Sequence, residues 1–354
     1  MNRLALRPQA DLDALRLDLR LGVPAAGLDL AGRTVTLADG TRVPFAPEGH
    51  PGALRGLVVA TGGRSRRLPG CEGLAGVHTL RGLLDALALR ERLLPGRRLV
   101  IVGAGFVGAE VAAVARGIGV DVTMLESGPV PMAMAVGEQA GRFLAQAHVD
   151  HGVRLRTGVT VSEILGARGE VRGVRLADQS VIPADDVLVA IGSLPNTEWL
   201  ESSGLAVLDG LLCDEFSSAA PGVYGVGDVA RWRNPLFGTA MRVEHRTNAT
   251  EQGLAVARDL LAPDLRRPFA PVPYFWSDQY GMKVQAYGHL RDHEEARVVD
   301  GEVAQGRFLI AYRRQDRLAG ALAIGMPPKA LRALRALIAS GARWNEAVTG
   351  AVAA

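Results

Sequence analysis

Three glycines with fixed spacing stand between an apolar run and an amphipathic segment. The run "LVIV" at residues 99–102 is typical of a buried parallel strand, and it leads into Gly103-x-Gly105-x-x-Gly108. In this context the first glycine allows a tight turn, the second lets the backbone approach a pyrophosphate, and the third lets helix and strand pack closely. Free N–H groups at the start of the next helix favour phosphate. The pattern predicts a dinucleotide site; the alternative is a glycine-rich turn that binds nothing.

An acidic residue ends the strand that is predicted next. Glu126 follows "VDVTML" and lies 126 − 103 = 23 residues after the first glycine, near the spacing of about 20 expected for a ribose ligand. A carboxylate there accepts a hydrogen bond from a ribose 2′-hydroxyl and repels a 2′-phosphate, and no arginine follows in "ESGPVP". We therefore expect NADH rather than NADPH. Glu110, in the first turn of the predicted helix, is either a surface acid that stabilises the helix dipole or a side chain near the nicotinamide.

Two further strand ends carry weaker signals. Gly227-Asp228 follows the apolar stretch "VYGV". An aspartate there can accept from a ribityl hydroxyl, or it can cap a helix. Thr61-Gly62 follows "LVVA" and leaves the same choice open.

The order of predicted elements indicates an α/β fold. The glycine turn and its helix, closed by glycines 117 and 119, lead to a strand at residues 120–126 and an amphipathic helix at residues 137–151. The apolar period then changes to two, which predicts short strands with turns at Gly158, Arg168-Gly169 and Asp178-Gln179.

From Arg266 onward the composition and apolar pattern of the sequence change once more. A proline-rich stretch, aromatic strands, a hairpin, and a helix that starts at proline and ends at Gly341 predict a third, small α+β domain.

Part of this pattern occurs twice. The stretch "TVTLADGTRVPF" at residues 34–45 parallels "GVRLADQSVIPA" at residues 173–184, and each is followed by an apolar strand that ends in glycine. Matching residue 37 to residue 176 gives an offset of 176 − 37 = 139, which would put the partner of Gly103 at 103 − 139 = −36. We expect the glycine turn of the first repeat to belong to a segment that this sequence does not contain.

Composition narrows the class of protein. The chain has 354 residues, 48% hydrophobic residues and a net charge of +3 with mixed signs, which indicates two or three globular domains without a nucleic-acid surface. No apolar run reaches the ~18 residues of a membrane span, and from the first residues we expect no signal peptide and a cytoplasmic protein. The two cysteines, Cys71 and Cys213, form no Cys-x-x-Cys pair, and no cluster has metal-ligand spacing.

Several motifs in order resemble one family. They are "ATG", "GAGFVGAE", the acidic strand end, "IGSLPN", "APGVYGVGDVA", "RVEHRTNATEQG" and "PYFWSDQYG". The chain resembles the FAD- and NADH-dependent ferredoxin reductases of the putidaredoxin and rhodocoxin reductase type, within the pyridine nucleotide-disulfide oxidoreductases. The resemblance implies two Rossmann-like dinucleotide-binding domains and a small α+β C-terminal domain. We expect an FAD domain at residues 1–94 and 214–265, an inserted NAD domain at 95–213 and the C-terminal domain at 266–354.

The resemblance implies hydride transfer from NADH to FAD, then single-electron transfer to a 2Fe–2S ferredoxin that serves an oxygenase or cytochrome P450. The cofactor carries this chemistry, so no catalytic side chain and no metal site are expected. The residues implied near NAD are Gly103, Gly105, Phe106, Val107, Gly108, Glu110 and Glu126. Those implied near FAD are Thr61, Gly62, Arg67, Gly192, Gly227, Asp228, Glu244, His245, Arg246 and Trp276.

Two departures from the family pattern qualify this expectation. The FAD domain lacks the first Gly-x-Gly-x-x-Gly and the lysine-bearing segment after it, and Arg246 stands where the family usually has tryptophan. A remnant that binds NADH without FAD is therefore one alternative, and a flavoprotein reductase or oxidase with another acceptor is a second. If FAD is not held, we expect a colourless or poorly soluble chain.

The resemblance also leaves an expectation about the partner and the assembly. An arginine patch at Arg313, Arg314 and Arg317 either meets an acidic partner or keeps the surface solvated. We expect a monomer or weak dimer.

Overall fold

A computed structural model describes residues 5–45 and 56–351 of the chain. It begins with a short helix and a three-stranded antiparallel sheet, followed by two short strands. These elements are α1 (Gln9–Ala14), β1 (Ala25–Asp29), β2 (Thr34–Leu37), β3 (Arg42–Pro44), β4 (Leu57–Val59) and β5 (Gly63–Ser65).

The next part holds a five-stranded parallel sheet and a three-stranded antiparallel sheet. Its elements are β6 (Val77–His78), α2 (Leu83–Arg92), β7 (Arg98–Val102), α3 (Phe106–Gly117), β8 (Asp121–Leu125), α4 (Ala133–Asp150), β9 (Arg154–Arg156), β10 (Val161–Ala167), β11 (Glu170–Leu176), β12 (Val181–Pro183) and β13 (Asp186–Val189). The parallel strands have the order β6-β13-β7-β8-β9, and β10-β11-β12 form the antiparallel sheet. The strand order reverses between β7 and β13, and ligands of open α/β sheets bind at such a point.

Short strands and one long helix follow. They are β14 (Ser193–Pro195), β15 (Leu211–Cys213), β16 (Ser218–Ala220), β17 (Val223–Gly225), β18 (Ala230–Asn234), β19 (Thr239–Met241) and α5 (Arg246–Leu261), with 3₁₀ turns at Glu198–Ser203, Gly227–Val229 and Pro263–Leu265. Strand β14 pairs with β5, strands β15, β18 and β19 form a small sheet, and β17 pairs in parallel with β4. This last pairing brings a strand from the beginning of the chain next to one more than 150 residues later.

The final part is a five-stranded antiparallel sheet covered by two helices. Its elements are β20 (Tyr274–Gln279), β21 (Met282–Gly288), β22 (Glu295–Glu302), β23 (Arg307–Arg314), β24 (Arg317–Ile324), α6 (Ala330–Ala339) and α7 (Trp344–Ala351), with a 3₁₀ turn at Val303–Gln305. The strand order is β20-β21-β24-β23-β22. The hairpin and the helix predicted from Arg266 onward are both present, and Gly341 follows α6 with φ +66°.

The internal repeat is visible in the strand register. Val35 pairs with Val43 in the first copy, and Val174 pairs with Ile182 in the second. Each residue of the second pair lies 139 positions after its counterpart in the first pair, since 174 − 35 = 139 and 182 − 43 = 139. The turns also match. Gly40 has φ +85°, and Gln179, at 40 + 139, has φ +68°. At this turn position the second copy therefore has a glutamine with a left-handed backbone, where the first copy has a glycine.

The two copies differ in what surrounds the strand that follows. Strand β13 pairs with β6 on one side and with β7 on the other. Its counterpart β4 pairs only with β17 within the described ranges, and Val58 on β4 is 40% exposed. The alternating leucines 17, 19 and 21 lie outside any strand and are between 50% and 81% exposed.

Helix α4 joins the parallel sheet to the final sheet. Its buried face packs with β21, β23 and β24 in one apolar cluster, and the hydroxyl of Tyr312 donates to the carbonyl of Val136 at 2.6 Å. The helix begins at Ala133, four residues before the predicted start. Gly137 interrupts it with φ +79°, a left-handed conformation that favours glycine, and a Cβ there would also lie 3.1 Å from the ring of His293.

Candidate functional site

The glycine turn has the geometry that its spacing predicts. Gly103 follows β7 with φ +100°, and a Cβ there would lie 2.4 Å from the carbonyl oxygen of Ala190. A Cβ on Gly108 would lie 2.2 Å from the carbonyl oxygen of Gly103, so no side chain fits between helix and turn. A Cβ on Gly105 would meet nothing within 4 Å. The turn is therefore closed on its protein side and open at the middle glycine.

Glu126 lies beneath this turn. Its Oε2 accepts the N–H of Ala104 at 3.0 Å and its Oε1 accepts the N–H of Gly128 at 2.8 Å. These bonds fix the carboxylate beside the glycine turn. The turn, the start of α3 and an acidic group at the end of β8 together fit a dinucleotide.

The start of α3 contacts the final sheet. Phe106 packs against Phe275 of β20 with ring centroids 4.8 Å apart, while Val107 is 43% exposed. The Oε1 of Glu110 accepts from the hydroxyl of Ser277 at 2.7 Å. Glu110 is half-buried and tied to β20, which is not the environment of a free surface acid.

A second group of predicted residues lies where the parallel strands β4 and β17 end. Thr61 follows β4, and its hydroxyl donates to the carbonyl of Asn196 at 2.8 Å. Asp228 follows β17 inside a 3₁₀ turn and forms an ion pair with Arg81, whose Nε donates to the carbonyl of Gly63 at 3.0 Å. Asp228 is not the N-cap of that turn.

Three glycines of the prediction have left-handed backbones in this region. Gly62 has φ +64°, Gly192 has φ +92° and Gly227 has φ +74°. The N–H of Gly227 donates to the buried side chain of Gln252 at 2.9 Å. The backbone beside Thr61 and Asp228 therefore has conformations that favour glycine.

The residues that precede α5 are held from several sides. Glu244 accepts from the hydroxyl of Ser193 at 2.6 Å and from Arg242 at 2.5 Å. Burial lowers the pKa of His245, and its Nδ1 is buried without a hydrogen-bond partner among the described residues. The ring of His245 lies 5.5 Å from that of Phe275. Arg246 is the first residue of α5 and is exposed.

Trp276 lies on β20 next to Phe275. Its side chain is 44% exposed, and it stacks on Tyr274 with ring centroids 5.7 Å apart. The neighbouring Phe275 contacts both Phe106 and His245. Strand β20 thus links the glycine turn to the start of α5. Arg67 is exposed and makes no ion pair within the described part of the chain, so contacts do not tie it to either group.

Sequence reasoning missed Arg81, Phe275 and Ser277. Arg81 is 147 residues from its partner Asp228, and Ser277 is 167 residues from Glu110. Ser277 and Phe275 lie inside the quoted motif "PYFWSDQYG", which was the available signal. No sequence signal marks Arg81.

The predicted arginine patch is engaged within the chain. Arg313 pairs with Glu294 and Glu295, while Arg314 and Arg317 donate to backbone carbonyls at 3.0 and 2.8 Å. These contacts support the reading in which the arginines serve the chain's own surface.

The described residues also bear on metals and membranes. Residues 5–45 and 56–351 contain no group of three or more His, Cys, Asp or Glu that could hold a metal ion. None of the helices in that part of the chain is both long and apolar enough to cross a bilayer. Cys71 and Cys213 are both free.

The parallel sheet with its glycine turn and the pairing of β4 with β17 define a dinucleotide-binding oxidoreductase fold. Residues 10–253 match the family described as pyridine nucleotide-disulphide oxidoreductase, and residues 274–352 match the family described as reductase C-terminal. The chain belongs to the pyridine nucleotide-disulphide oxidoreductase family and carries the C-terminal domain of these reductases. This membership confirms the predicted fold class and an oxidoreductase activity, and FAD and NAD(H) are the cofactors that the family implies.

Relatives and solved structures agree with this family. Rhodocoxin reductase of Rhodococcus erythropolis is 36% identical over 92% of this chain and 74% of its own length. The ferredoxin–NAD(+) reductase component of an anthranilate 1,2-dioxygenase system in Burkholderia cepacia is 35% identical over 96% and 81%. The covalent putidaredoxin reductase–putidaredoxin complex matches with a TM-score of 0.90 and 28% identity, over 99% of this chain and 85% of that one.

Proposed function

We propose that this chain passes electrons from NADH through FAD to a 2Fe–2S ferredoxin that serves an oxygenase or cytochrome P450. One observation carries the proposal. Strand β20 touches the glycine turn through Phe275 and Phe106, and touches the start of α5 through Phe275 and His245. A nicotinamide placed by the turn and a flavin placed beside α5 would then meet near β20. The relatives named as ferredoxin reductases of oxygenase systems support the same acceptor.

For NADH, we propose that the glycine turn binds the pyrophosphate and that Glu126 binds a ribose. Glu126 is already held by two backbone N–H groups, so its carboxylate is preorganised and disfavours a 2′-phosphate. Glu110 would face the nicotinamide. The further residues of this site are Gly103, Gly105, Phe106, Val107 and Gly108.

FAD, when bound, converts the two-electron chemistry of a hydride into single-electron transfer. The residues around α5 and the ends of β4 and β17 fit its flavin and ribityl part, because the buried Nδ1 of His245 lacks a partner and Gly227 brings backbone to the surface of α5. Asp228, now paired with Arg81, would accept from a ribityl hydroxyl. The other residues that we assign to this part are Thr61, Gly62, Arg67, Gly192, Glu244, Arg246 and Trp276.

The sequence predicts an FAD domain at residues 1–94 and 214–265, an NAD domain at 95–213 and a C-terminal domain at 266–354. We propose the same three domains with two boundaries moved: β6 and α2 belong with the NAD domain, because β6 pairs with β13 of the parallel sheet, and β14 and β15 belong with the FAD domain, because they pair with β5 and β18. The parallel pairing of β4 with β17 supports a split FAD domain. A monomer or weak dimer in the cytoplasm stays a prediction.

A specific observation favours a second candidate, a protein that binds NADH without FAD. Strand β4 has a partner on one side only within residues 5–45 and 56–351, whereas β13 of the second repeat has partners on both sides. Val58 on β4 is 40% exposed, which leaves apolar surface at the strand that would flank FAD.

The test compares flavin content with acceptor reduction. The purified chain is incubated with FAD and desalted, and its flavin-to-protein ratio is measured. NADH is then added with a 2Fe–2S ferredoxin and cytochrome c. The proposal expects stoichiometric flavin and cytochrome c reduction that depends on the ferredoxin. A colourless chain that still binds NADH would establish the second candidate, and direct oxygen uptake without ferredoxin dependence would identify an oxidase.

A further inference from the structure

Three side chains form a polar relay from the inside of the fold to the glycine-turn helix. The Nε2 of Gln279 donates to the hydroxyl of Ser277 at 3.0 Å, and that hydroxyl donates to Oε1 of Glu110 at 2.7 Å. Ser277 is 0% exposed and Gln279 is 1% exposed. We call Gln279, Ser277 and Glu110 the polar relay.

The direction of both bonds is fixed by chemistry. An amide nitrogen only donates, and an ionised carboxylate only accepts. The Ser277 hydroxyl therefore accepts from Gln279 and must give its single proton to Glu110. No described residue donates to Oε2 of Glu110. The relay thus holds Glu110 as an acceptor with one oxygen satisfied and the other available.

The inner end of the relay is anchored on α4. The Nδ1 of His148 lies 2.6 Å from the hydroxyl of Tyr280, in the turn that directly follows Gln279. The Nε2 of His148 and the Oε1 of Gln279 are buried, and neither has a hydrogen-bond partner among the described residues. If Nδ1 accepts from Tyr280, then Nε2 carries a proton and complements the amide oxygen of Gln279. The amide nitrogen of Gln279 faces Ser277, as the hydrogen bond between them shows.

We propose that Ser277, oriented by Gln279, is a positioning residue that holds Glu110 as acceptor for the carboxamide N–H of nicotinamide. The site then selects dinucleotides whose ring carries an N–H donor. This inference rests on the proposed binding of NAD(H) at the glycine turn. A ring bearing a ketone leaves Oε2 of Glu110 without a partner, and a ring bearing a carboxylate adds repulsion between like charges.

The test measures equilibrium binding by calorimetry and needs no turnover. Three ligands are compared: NAD⁺, its 3-acetylpyridine analogue, which has a ketone, and nicotinic acid adenine dinucleotide, which has a carboxylate. A hydrogen bond to a charged group corresponds to a preference of about tenfold or more. We expect the parent chain to prefer NAD⁺ over the ketone analogue by about this factor and over the carboxylate analogue by more.

Two variants and one matched control complete the design. Ser277→Ala removes the donor to Glu110, and Gln279→Met removes the donor to Ser277. Each should reduce the preference for NAD⁺ over the ketone analogue by about threefold or more, mainly by weakening NAD⁺ binding. Ser203→Ala removes a hydroxyl that donates to the carbonyl of Leu200 at 2.6 Å, away from the relay. This control should leave the preference unchanged.

The outcomes separate the two claims. If NAD⁺ binds the parent chain and the preference survives in both relay variants, the role of Ser277 is overturned while the proposed function stands. An equal loss of preference in Ser203→Ala also overturns it, because the effect is then general. If NAD⁺ does not bind the parent chain, the proposed function fails, and the inference fails with it.

Discussion

The stability of this protein should depend on a single buried histidine under mildly acidic conditions. His148 lies on α4 and is 1% exposed. Burial is the main reason that its pKa is lowered from 6.5 to about 4; the Gln279 side chain opposes this shift, and the neighbouring His151 adds a smaller contribution to it. The folded state therefore keeps this ring neutral at pH values where the unfolded chain already binds a proton.

The magnitude follows from the two pKa values. Each pH unit between 6.5 and about 4 corresponds to about 1.4 kcal/mol, so neutral His148 accounts for about 3 kcal/mol of pH-dependent stability. The unfolded state binds more protons over this range, so stability is complete above pH 6.5 and is lost as the pH falls toward 4. Between about pH 7 and about pH 4.5, we expect a loss of about 2 kcal/mol from this group.

The perturbation is His148→Asn, whose side-chain oxygen can still accept from the hydroxyl of Tyr280. Urea unfolding is followed at several pH values between about 7 and 4.5 for the parent, for His148→Asn, and for His151→Asn, which removes an exposed imidazole on the adjacent turn. His245 and His289 also have pKa values lowered by burial, so part of the pH dependence should persist in every variant. His148→Asn should reduce the pH dependence by about 2 kcal/mol, and His151→Asn, which removes only the smallest cause of the shift, should reduce it by much less. Equal pH dependence in the parent and His148→Asn would refute the reasoning.

Three further perturbations test other parts of the structure. Gly108→Ala places a Cβ 2.2 Å from the carbonyl oxygen at the start of the glycine turn, and it should weaken NAD⁺ binding by tenfold or more in calorimetry. The control Gly117→Ala lies in the same helix, where a Cβ meets nothing within 4 Å, and it should leave binding unchanged. Equal binding by the two variants would contradict the role of the turn. Asp186→Asn removes the buried carboxylate that three basic side chains contact, and it should lower the free energy of unfolding by about 3 kcal/mol. The exposed Asp178→Asn should change it by less than about 0.5 kcal/mol, and similar values for the two would refute the importance of the buried cluster. Val58→Lys places a charge on β4, which has a paired neighbour on one side only within the described residues. It should reduce the light scattering of the concentrated protein. Unchanged scattering would show that this strand edge does not drive association.

The sequence predicted those features that depend on local pattern. The glycine spacing located the turn after β7, because the close contact between Gly108 and the carbonyl oxygen of Gly103 arises within a few residues of the chain. The repeat offset of 139 predicted equivalent strands, and their register agrees residue for residue between β2 and β3 and between β11 and β12. Such features follow from backbone conformation and apolar period, which neighbouring residues determine.

The features that could not be predicted join distant parts of the chain. Arg81 meets Asp228 only because β4 pairs with β17 across the fold. Ser277 meets Glu110 because α3 packs against β20, and neither spacing nor composition encodes that contact. Gly137 was predicted as the start of a helix, but the helix begins at Ala133 and is interrupted at Gly137, whose left-handed backbone lies against the ring of His293. Tertiary packing decides each of these.

The central claim is that the turn after Val102 binds the dinucleotide so that its nicotinamide lies toward β20. A crystal structure of the chain grown with NADH tests this directly. The account predicts the pyrophosphate against the backbone of Gly105 at the start of α3, a ribose hydroxyl on Glu126, and the nicotinamide beside Glu110. A dinucleotide bound elsewhere, with the glycine turn free of ligand, would contradict it.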